Sequence, residues 1–110
     1  MLVEIDGTQH QWFRDVLVPK GYDAFQLTRM VLGEEIDADW YPAYQSHFVK
    51  SILGKSNDGD HAWILYLWGD FDQAWNPLPV GADWFSLKEG HILAWSYGDT
   101  SIGNKPENKP

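Results

Sequence analysis

The segment HAWILYLWGDFDQAWNPLPVG, residues 61–81, decides the fold because its first eight residues form a strand pattern with two apolar faces. Successive side chains of a strand point to opposite sides. The apolar side chains divide into two sets: Trp63, Leu65 and Leu67 on one face, and Ala62, Ile64, Tyr66 and Trp68 on the other. Such a strand is covered on both sides, or one side is available to a partner.

The segments around this strand predict a sheet and a single helix. Residues 2–6 alternate as in a half-buried strand, an Asp-Gly turn signal follows, and residues 12–18 are interpreted as a second strand. Together they predict a β-hairpin. Asp23 is placed to cap a helix over residues 24–32, which Gly33 ends. Residues 47–53 and 91–97 predict two further strands. The acidic residues 34–39 are interpreted as a solvated connection and residues 69–83 as a long loop.

These elements predict an α+β fold with one mixed sheet and one helix packed across it. The predicted domain covers residues 1–98, and the Pro-, Asn- and Lys-containing residues 99–110 are predicted to be a flexible polar tail. On the helix we expect Phe25, Leu27 and Val31 to face the core, and Trp63 to lie between the sheet and the helix.

Composition restricts the possible partners. Sixteen acidic and eight basic residues give a net charge of −8, which disfavours nucleic acid and anionic membranes as partners. No run of about 18 apolar residues is present, so we expect no membrane insertion. The chain begins in a strand pattern without a basic and apolar leader, which indicates an intracellular protein or one whose leader has been removed.

Metal and catalytic motifs are absent from the sequence. The chain has no cysteine, and its four histidines show no HExxH or similar spacing, although His61 and His91 each begin a predicted strand and could be neighbours. Residues 57–60 resemble part of a calcium loop but lack its closing glutamate, and we interpret them as a turn. No nucleophile elbow or phosphate-binding glycine loop occurs. We therefore predict neither a metal site nor catalysis.

Four stretches match the pattern of a known family: residues 18–21 before a helix opened by Asp23-Ala24; residues 48–49 and 51–54; Trp63 and Tyr66 before Gly69; and residues 87–90 leading to Trp95 and Tyr97. In this order, from about residue 2 to 98, the chain resembles the C-terminal domain family of transcobalamin and intrinsic factor, whose fold is β-grasp-like. It departs from the pattern at Trp68, where the family usually has Asn, and at His91, where it tends to have Asp.

This resemblance implies a ligand and a location. In the family's corrinoid carriers the domain acts as a lid on one side of the corrin ring, so cobalamin or a related tetrapyrrole is the implied ligand. The family also implies an extracellular or cell-surface setting, and a cytoplasmic one stays open because this chain shows no leader.

The candidate binding residues lie on the central strand, in the loop after it and on the last strand: Tyr66, Trp68, Asp70, Phe71, Trp75, Trp95 and Tyr97. An apolar centre with a polar rim suits aromatic side chains that carry a polar group. For Trp95 and Tyr97 a place in the core is the favoured alternative. The predicted function is a non-catalytic binding module for a macrocycle. The alternative is a protein interaction or assembly module, including self-association.

Overall fold

The computed structural model describes residues 1–100 and 105–110 of the chain. Within these residues the strands and the α-helix are, in chain order, β1 Leu2–Glu4, β2 His10–Trp12, α1 Ala24–Leu32, β3 Ile36–Tyr41, β4 Ser46–Ile52, β5 Lys55–Ser56, β6 His61–Gly69, β7 Ala74–Pro77 and β8 Leu93–Asp99. Two short 3-10 turns lie at Gly33–Glu35 and Ala82–Trp84.

The strands form a five-stranded mixed sheet and a three-stranded antiparallel sheet. The larger sheet has the order β2-β1-β8-β6-β7, in which β1 is antiparallel to β2 and parallel to β8, and the remaining pairs are antiparallel. The N-terminal hairpin, the following helix and a last strand parallel to the first give a mixed sheet with one helix packed on it. The predicted α+β class is therefore confirmed. The smaller sheet, β3-β4-β5, was not separated from the larger one by the sequence pattern.

Helix α1 begins and ends where its capping residues predict. The Asp23 carboxylate accepts a hydrogen bond from Gln26 N at 2.7 Å, and Gln26 Oε1 accepts one from Asp23 N at 2.9 Å, so the two residues form a capping box. Gly33 ends the helix with a positive φ of 57°, a conformation that favours glycine.

The helix packs on one face of the larger sheet through a core that the sequence largely predicts. Phe25 and Leu27 are buried, and Val31 packs partly buried against the same cluster. Trp63 and Trp95 are buried in this cluster, as expected for Trp63 and as favoured for Trp95. Trp95 Nε1 also donates a hydrogen bond to Thr28 Oγ1 on the helix at 3.0 Å, which fixes the helix over β8.

The second strand of the hairpin is shorter than predicted. Trp12 pairs with Leu2, the first residue of β1, so residues beyond Phe13 have no strand opposite them. Asp15, with a φ of 54°, interrupts the extended backbone. The expectation of a strand over residues 12–18 is therefore wrong after its first residue.

The acidic residues 34–39 were expected to be a solvated connection, but residues from Ile36 onward form β3. Ile36 is buried, whereas Asp37 and Asp39 are exposed. Lys50 Nζ lies 3.6 Å from a carboxylate oxygen of Asp37 and 3.3 Å from one of Asp39. The hydrogen bond that Lys50 donates to Asp39 and the charges of both acids raise the pKa of Lys50. The neighbouring strand thus places a cation beside the carboxylates of this acidic strand.

The expected long loop over residues 69–83 also contains a strand. Residues Ala74–Pro77 form β7, in which Trp75 pairs with Trp68 across the strands.

Within the described part of the chain, no helix is long and apolar enough to cross a membrane.

The tail expected to be flexible from residue 99 is partly attached to the domain. Asp99 belongs to β8, and residues 101–104 lie outside the described residues. Further on, Glu107 N and Asn108 N donate hydrogen bonds to the carboxylate of Glu4 at 2.7 and 3.0 Å. These two residues are therefore held in place, contrary to the expectation from composition.

Candidate functional site

The structure separates the predicted binding residues into three places. Tyr66, Trp68 and Trp75 lie on the face of the larger sheet that is turned away from α1, which we call the outer face together with Leu2, Glu4 and Ala94. Trp95 and Tyr97 lie on the opposite, helix-side face. Asp70 and Phe71 lie on the exposed turn between β6 and β7.

The expectation of an exposed aromatic patch on the outer face is wrong. Only 2% of Tyr66 and 2% of Trp75 is exposed. Trp68 is half-buried and packs edge-on against Trp75, with ring centroids 5.1 Å apart. Burial also raises the pKa of Tyr66. These side chains form a second small core, so the burial of aromatic area accounts for them without a ligand.

Tyr97 and Phe71 do not lie on the outer face with the other predicted binding residues. Tyr97 Oη donates a hydrogen bond to Ser56 O at 2.8 Å, and its ring packs edge-on against Trp63, so it links β8 to the smaller sheet. Phe71 is fully exposed at the tip of its turn. Phe71 is therefore exposed to solvent, whereas Trp75 is buried.

The exposed aromatic surface lies instead beside the β3–β4 hairpin. We call it the aromatic groove: a depression of about 690 Å³ lined by Tyr41, Tyr44, Ser46, His47, Phe48, Val80, Gly81 and Trp84. Tyr44 is 77% exposed and Trp84 is 59% exposed. Exposed rings around a concave apolar surface are typical of a ligand-binding site.

Local geometry places the tyrosines of the groove. The chain turns between β3 and β4 at Pro42, which presets the backbone at the second position of the turn. Tyr44 N donates a hydrogen bond to Tyr41 O at 3.1 Å, and Gln45 then takes a positive φ of 48°. This tight turn projects Tyr44 outward from the hairpin.

The opposite wall of the groove comes from the segment before β8. Trp84 Nε1 donates hydrogen bonds to Gln45 O at 3.1 Å and to Tyr44 O at 3.4 Å, so the indole is fixed against the hairpin. Gly81 permits the close approach of the two walls, because a Cβ at this position would lie 2.6 Å from Ser46 Oγ.

A histidine and a carboxylate form the polar part of the groove. His47 Nδ1 lies 2.7 Å from Asp83 Oδ2, while Asp83 Oδ1 accepts hydrogen bonds from His47 N at 2.7 Å and from Ser46 Oγ at 3.0 Å. Burial by itself would raise the pKa of Asp83, but these hydrogen bonds and the nearby His47 together lower the pKa below its ordinary value. Asp83 is therefore ionised at neutral pH.

The ionised carboxylate determines which nitrogen of a neutral His47 ring carries the proton. A carboxylate can only accept hydrogen bonds, so the proton of a neutral His47 ring lies on Nδ1. The ring is also held by contact with Phe25, which stacks on it with centroids 3.9 Å apart and planes 3° apart, and with Trp40 at 5.0 Å. Among the described residues Nε2 has no hydrogen-bond partner, which leaves this nitrogen as an acceptor for a ligand.

The same geometry argues against a hydrolytic triad. Ser46 Oγ donates its hydrogen bond to Asp83 and not to His47 Nε2, so the imidazole does not activate the hydroxyl. Among the described residues no group of three or more His, Cys, Asp or Glu side chains is arranged to hold a metal ion.

Comparison with protein-family models, with curated proteins and with solved structures finds no match for this chain. The structure itself defines an α+β domain with an aromatic groove. The resemblance to the transcobalamin C-terminal family stays a prediction.

Sequence reasoning missed the groove for an identifiable reason. Trp40, Tyr41 and Tyr44 follow an acidic segment that was interpreted as a connection, so their aromatic rings were not assigned to a surface. The dense aromatic residues around Pro42, at a place too polar in its flanks for a core strand, were the available signal. The pairing of His47 with Asp83 leaves no such signal, because the two residues are 36 positions apart.

Proposed function

We propose that this chain is a non-catalytic binding module whose aromatic groove takes a flat, predominantly apolar ligand. The observation that carries the proposal is the gathering of exposed tyrosine and tryptophan rings around one depression that also contains a single fixed imidazole. Aromatic side chains supply large contact areas with few rotatable bonds, so they lose little entropy on binding.

A tetrapyrrole is the first ligand class to test. A histidine that coordinates a metal usually donates its other ring N–H to a carboxylate, which is the arrangement of His47 and Asp83. Cobalamin, the ligand that the resemblance implies, would supply a cobalt ion held in a flat ring. His47 would offer Nε2 to such an ion, and Tyr44 and Trp84 would contact the ring.

The test is calorimetric titration with hydroxocobalamin and cyanocobalamin, with haem as a second macrocycle. We expect saturable binding at micromolar strength, about −8 kcal/mol, and a loss of about tenfold or more for Trp84→Ala, as for a central aromatic contact. Phe71→Ala is the matched control, because Phe71 is an exposed aromatic residue outside the groove.

The outcomes separate the alternatives. Unchanged binding by Trp84→Ala together with weaker binding by Phe71→Ala and Trp68→Ala would place the ligand at the loop predicted from the sequence. Binding of haem alone would keep the macrocycle class and reject cobalamin. An absence of heat with all three compounds would reject the macrocycle.

A second candidate function is a protein interaction module, supported by exposed aromatic side chains on β3 and β4, two of which also line the groove. Trp40, Tyr41 and Phe48 are about half exposed on β3 and β4, and β3 is an edge strand of the smaller sheet. Exposed edges and aromatic patches are common sites of association. Sedimentation across a dilution series tests self-association: a mass that does not change with concentration would reject it, and a dimer that Trp40→Ala dissociates would support it.

A further inference from the structure

The C-terminal residues 105–110, which we call the strap, lie against the outer face of the larger sheet. Two main-chain N–H groups of the strap, those of Glu107 and Asn108, donate hydrogen bonds to the Glu4 carboxylate at 2.7 and 3.0 Å. Asn108 Nδ2 adds a third at 2.6 Å and contacts Gly7 O at 3.3 Å. Trp75 Nε1 donates a hydrogen bond to Asn108 O at 2.8 Å, and Pro106 is buried.

These contacts have the properties of a built recognition site. Glu4 is only 2% exposed, and among the described residues its carboxylate receives hydrogen bonds from the strap alone. The strap itself covers Glu4, and a carboxylate covered in this way is tolerated only if the occupant supplies N–H groups to it. Asn108 is recognised through three of its groups. Its N–H and its carboxamide donate hydrogen bonds to Glu4, and its C=O accepts one from Trp75 Nε1.

The residues around Asn108 determine which other features a segment bound at this site needs. Trp75 belongs to the buried cluster with Leu2, Tyr66 and Ala94, which gives the site an apolar aromatic floor. The strap carries Lys105 and Lys109 with one acid, Glu107, whereas the whole chain has a net charge of −8. Charge therefore favours a segment with basic residues.

We infer that the outer face is a peptide-binding site for an extended segment of the type Pro-x-Asn with flanking lysines, and that the strap occupies this site in cis. A segment of the same chemistry from another chain makes the same hydrogen bonds to Glu4 and Trp75. This site is separate from the aromatic groove and does not depend on the function proposed for it.

The cis strap sets the conditions under which such a partner binds. A tethered segment acts at an effective concentration on the order of millimolar, so a free peptide at micromolar concentration hardly displaces it. A substitution that weakens the strap must therefore strengthen binding of the free peptide. A purely structural tail would not produce this inverse relation.

The experiment uses the full-length chain and a fluorescently labelled peptide with the sequence KPENKP, residues 105–110, followed by fluorescence anisotropy. For Asn108→Ala we expect affinity for the peptide at least about tenfold higher than for the parent, because the lost hydrogen bonds include one to a charged group. Pro110→Ala is the matched control, since Pro110 is exposed in the same segment and lies outside the Pro-x-Asn motif and its flanking lysines, and we expect it to bind like the parent.

Two further measurements assign any binding to this site. A peptide in which the asparagine is replaced by alanine must bind neither protein, and Glu4→Gln combined with Asn108→Ala must lose the gain. For the parent itself, millimolar peptide must shift the NMR signal of the protein's own Asn108 carboxamide, because the displaced strap loses its hydrogen bond to Glu4; this measurement does not depend on the folding of a variant. If that signal is unmoved, or if folded Asn108→Ala gains no affinity, the inference is wrong.

Discussion

Replacing Asp83 by Asn should reverse the hydrogen-bonding role of His47 in the groove at a modest loss of stability. In the parent, the carboxylate accepts a hydrogen bond from Nδ1, so a neutral ring exposes Nε2 as an acceptor. Asparagine can turn its NH₂ group toward Nδ1 and keep its oxygen toward His47 N and Ser46 Oγ. The ring proton then moves to Nε2, which becomes a donor.

The structure also sets the size of the stability loss. Oδ1 of Asp83 accepts two hydrogen bonds, at 2.7 and 3.0 Å, and each changes from a bond with a charged acceptor to a bond with a neutral one. Bonds to charged groups contribute about 1.5–3 kcal/mol and neutral ones about 0.5–1.5 kcal/mol, a difference of about 1 kcal/mol each. Asp83→Asn should therefore lower the free energy of unfolding by about 2 kcal/mol.

Two assays check this prediction. Long-range ¹H–¹⁵N NMR correlations of His47, recorded on the neutral ring, report which nitrogen carries the proton in the parent and in the variant. Urea denaturation gives the stability change, with Asp70→Asn, an exposed aspartate on the β6–β7 turn, expected to stay within about 0.5 kcal/mol. A parent ring protonated on Nε2, or a variant with an unchanged tautomer, would refute the reasoning.

Three further perturbations have defined outcomes. Folding lowers the pKa of Asp83, so its contribution to stability is present above its ordinary pKa of 3.8 and is lost as the pH falls through the lower folded value. Acid titration followed by circular dichroism should therefore show that the parent loses stability more steeply below about pH 4 than Asp83→Asn does. Equal slopes would contradict this. Glu4→Gln should lower stability by about 2–3 kcal/mol in urea, because two or more charge-assisted bonds from the strap are weakened; a change as small as that of exposed Glu89→Gln would show that the strap contributes little. Thr28→Val should cost about 1–3 kcal/mol in thermal unfolding, since it leaves the buried Trp95 Nε1 without its acceptor, and an unchanged melting temperature would show that the indole finds another partner.

Local patterns in the chain predicted the elements that depend on near neighbours. The helix over residues 24–32 follows from Asp23, Gln26 and Gly33, whose capping contacts join residues within one or two turns. The central strand follows from its continuous apolar residues, but the sequence left open whether its second face is covered or exposed, and the exposed alternative proved wrong. The acidic strand β3, in contrast, could not be recognised from local patterns, because Lys50, which lies beside its carboxylates, comes from the next strand.

The sequence by itself therefore determined the α+β class, the helix with its caps and the existence of the central strand, because each depends on spacings of two to four residues. Only the tertiary structure decided where aromatic rings are exposed and what covers the outer face. The His47–Asp83 contact joins residues 36 positions apart, and the Glu4–Asn108 contact joins residues 104 positions apart. Contacts at such separations leave no periodic signal, since they are formed only when strands and loops from both ends of the chain pack together.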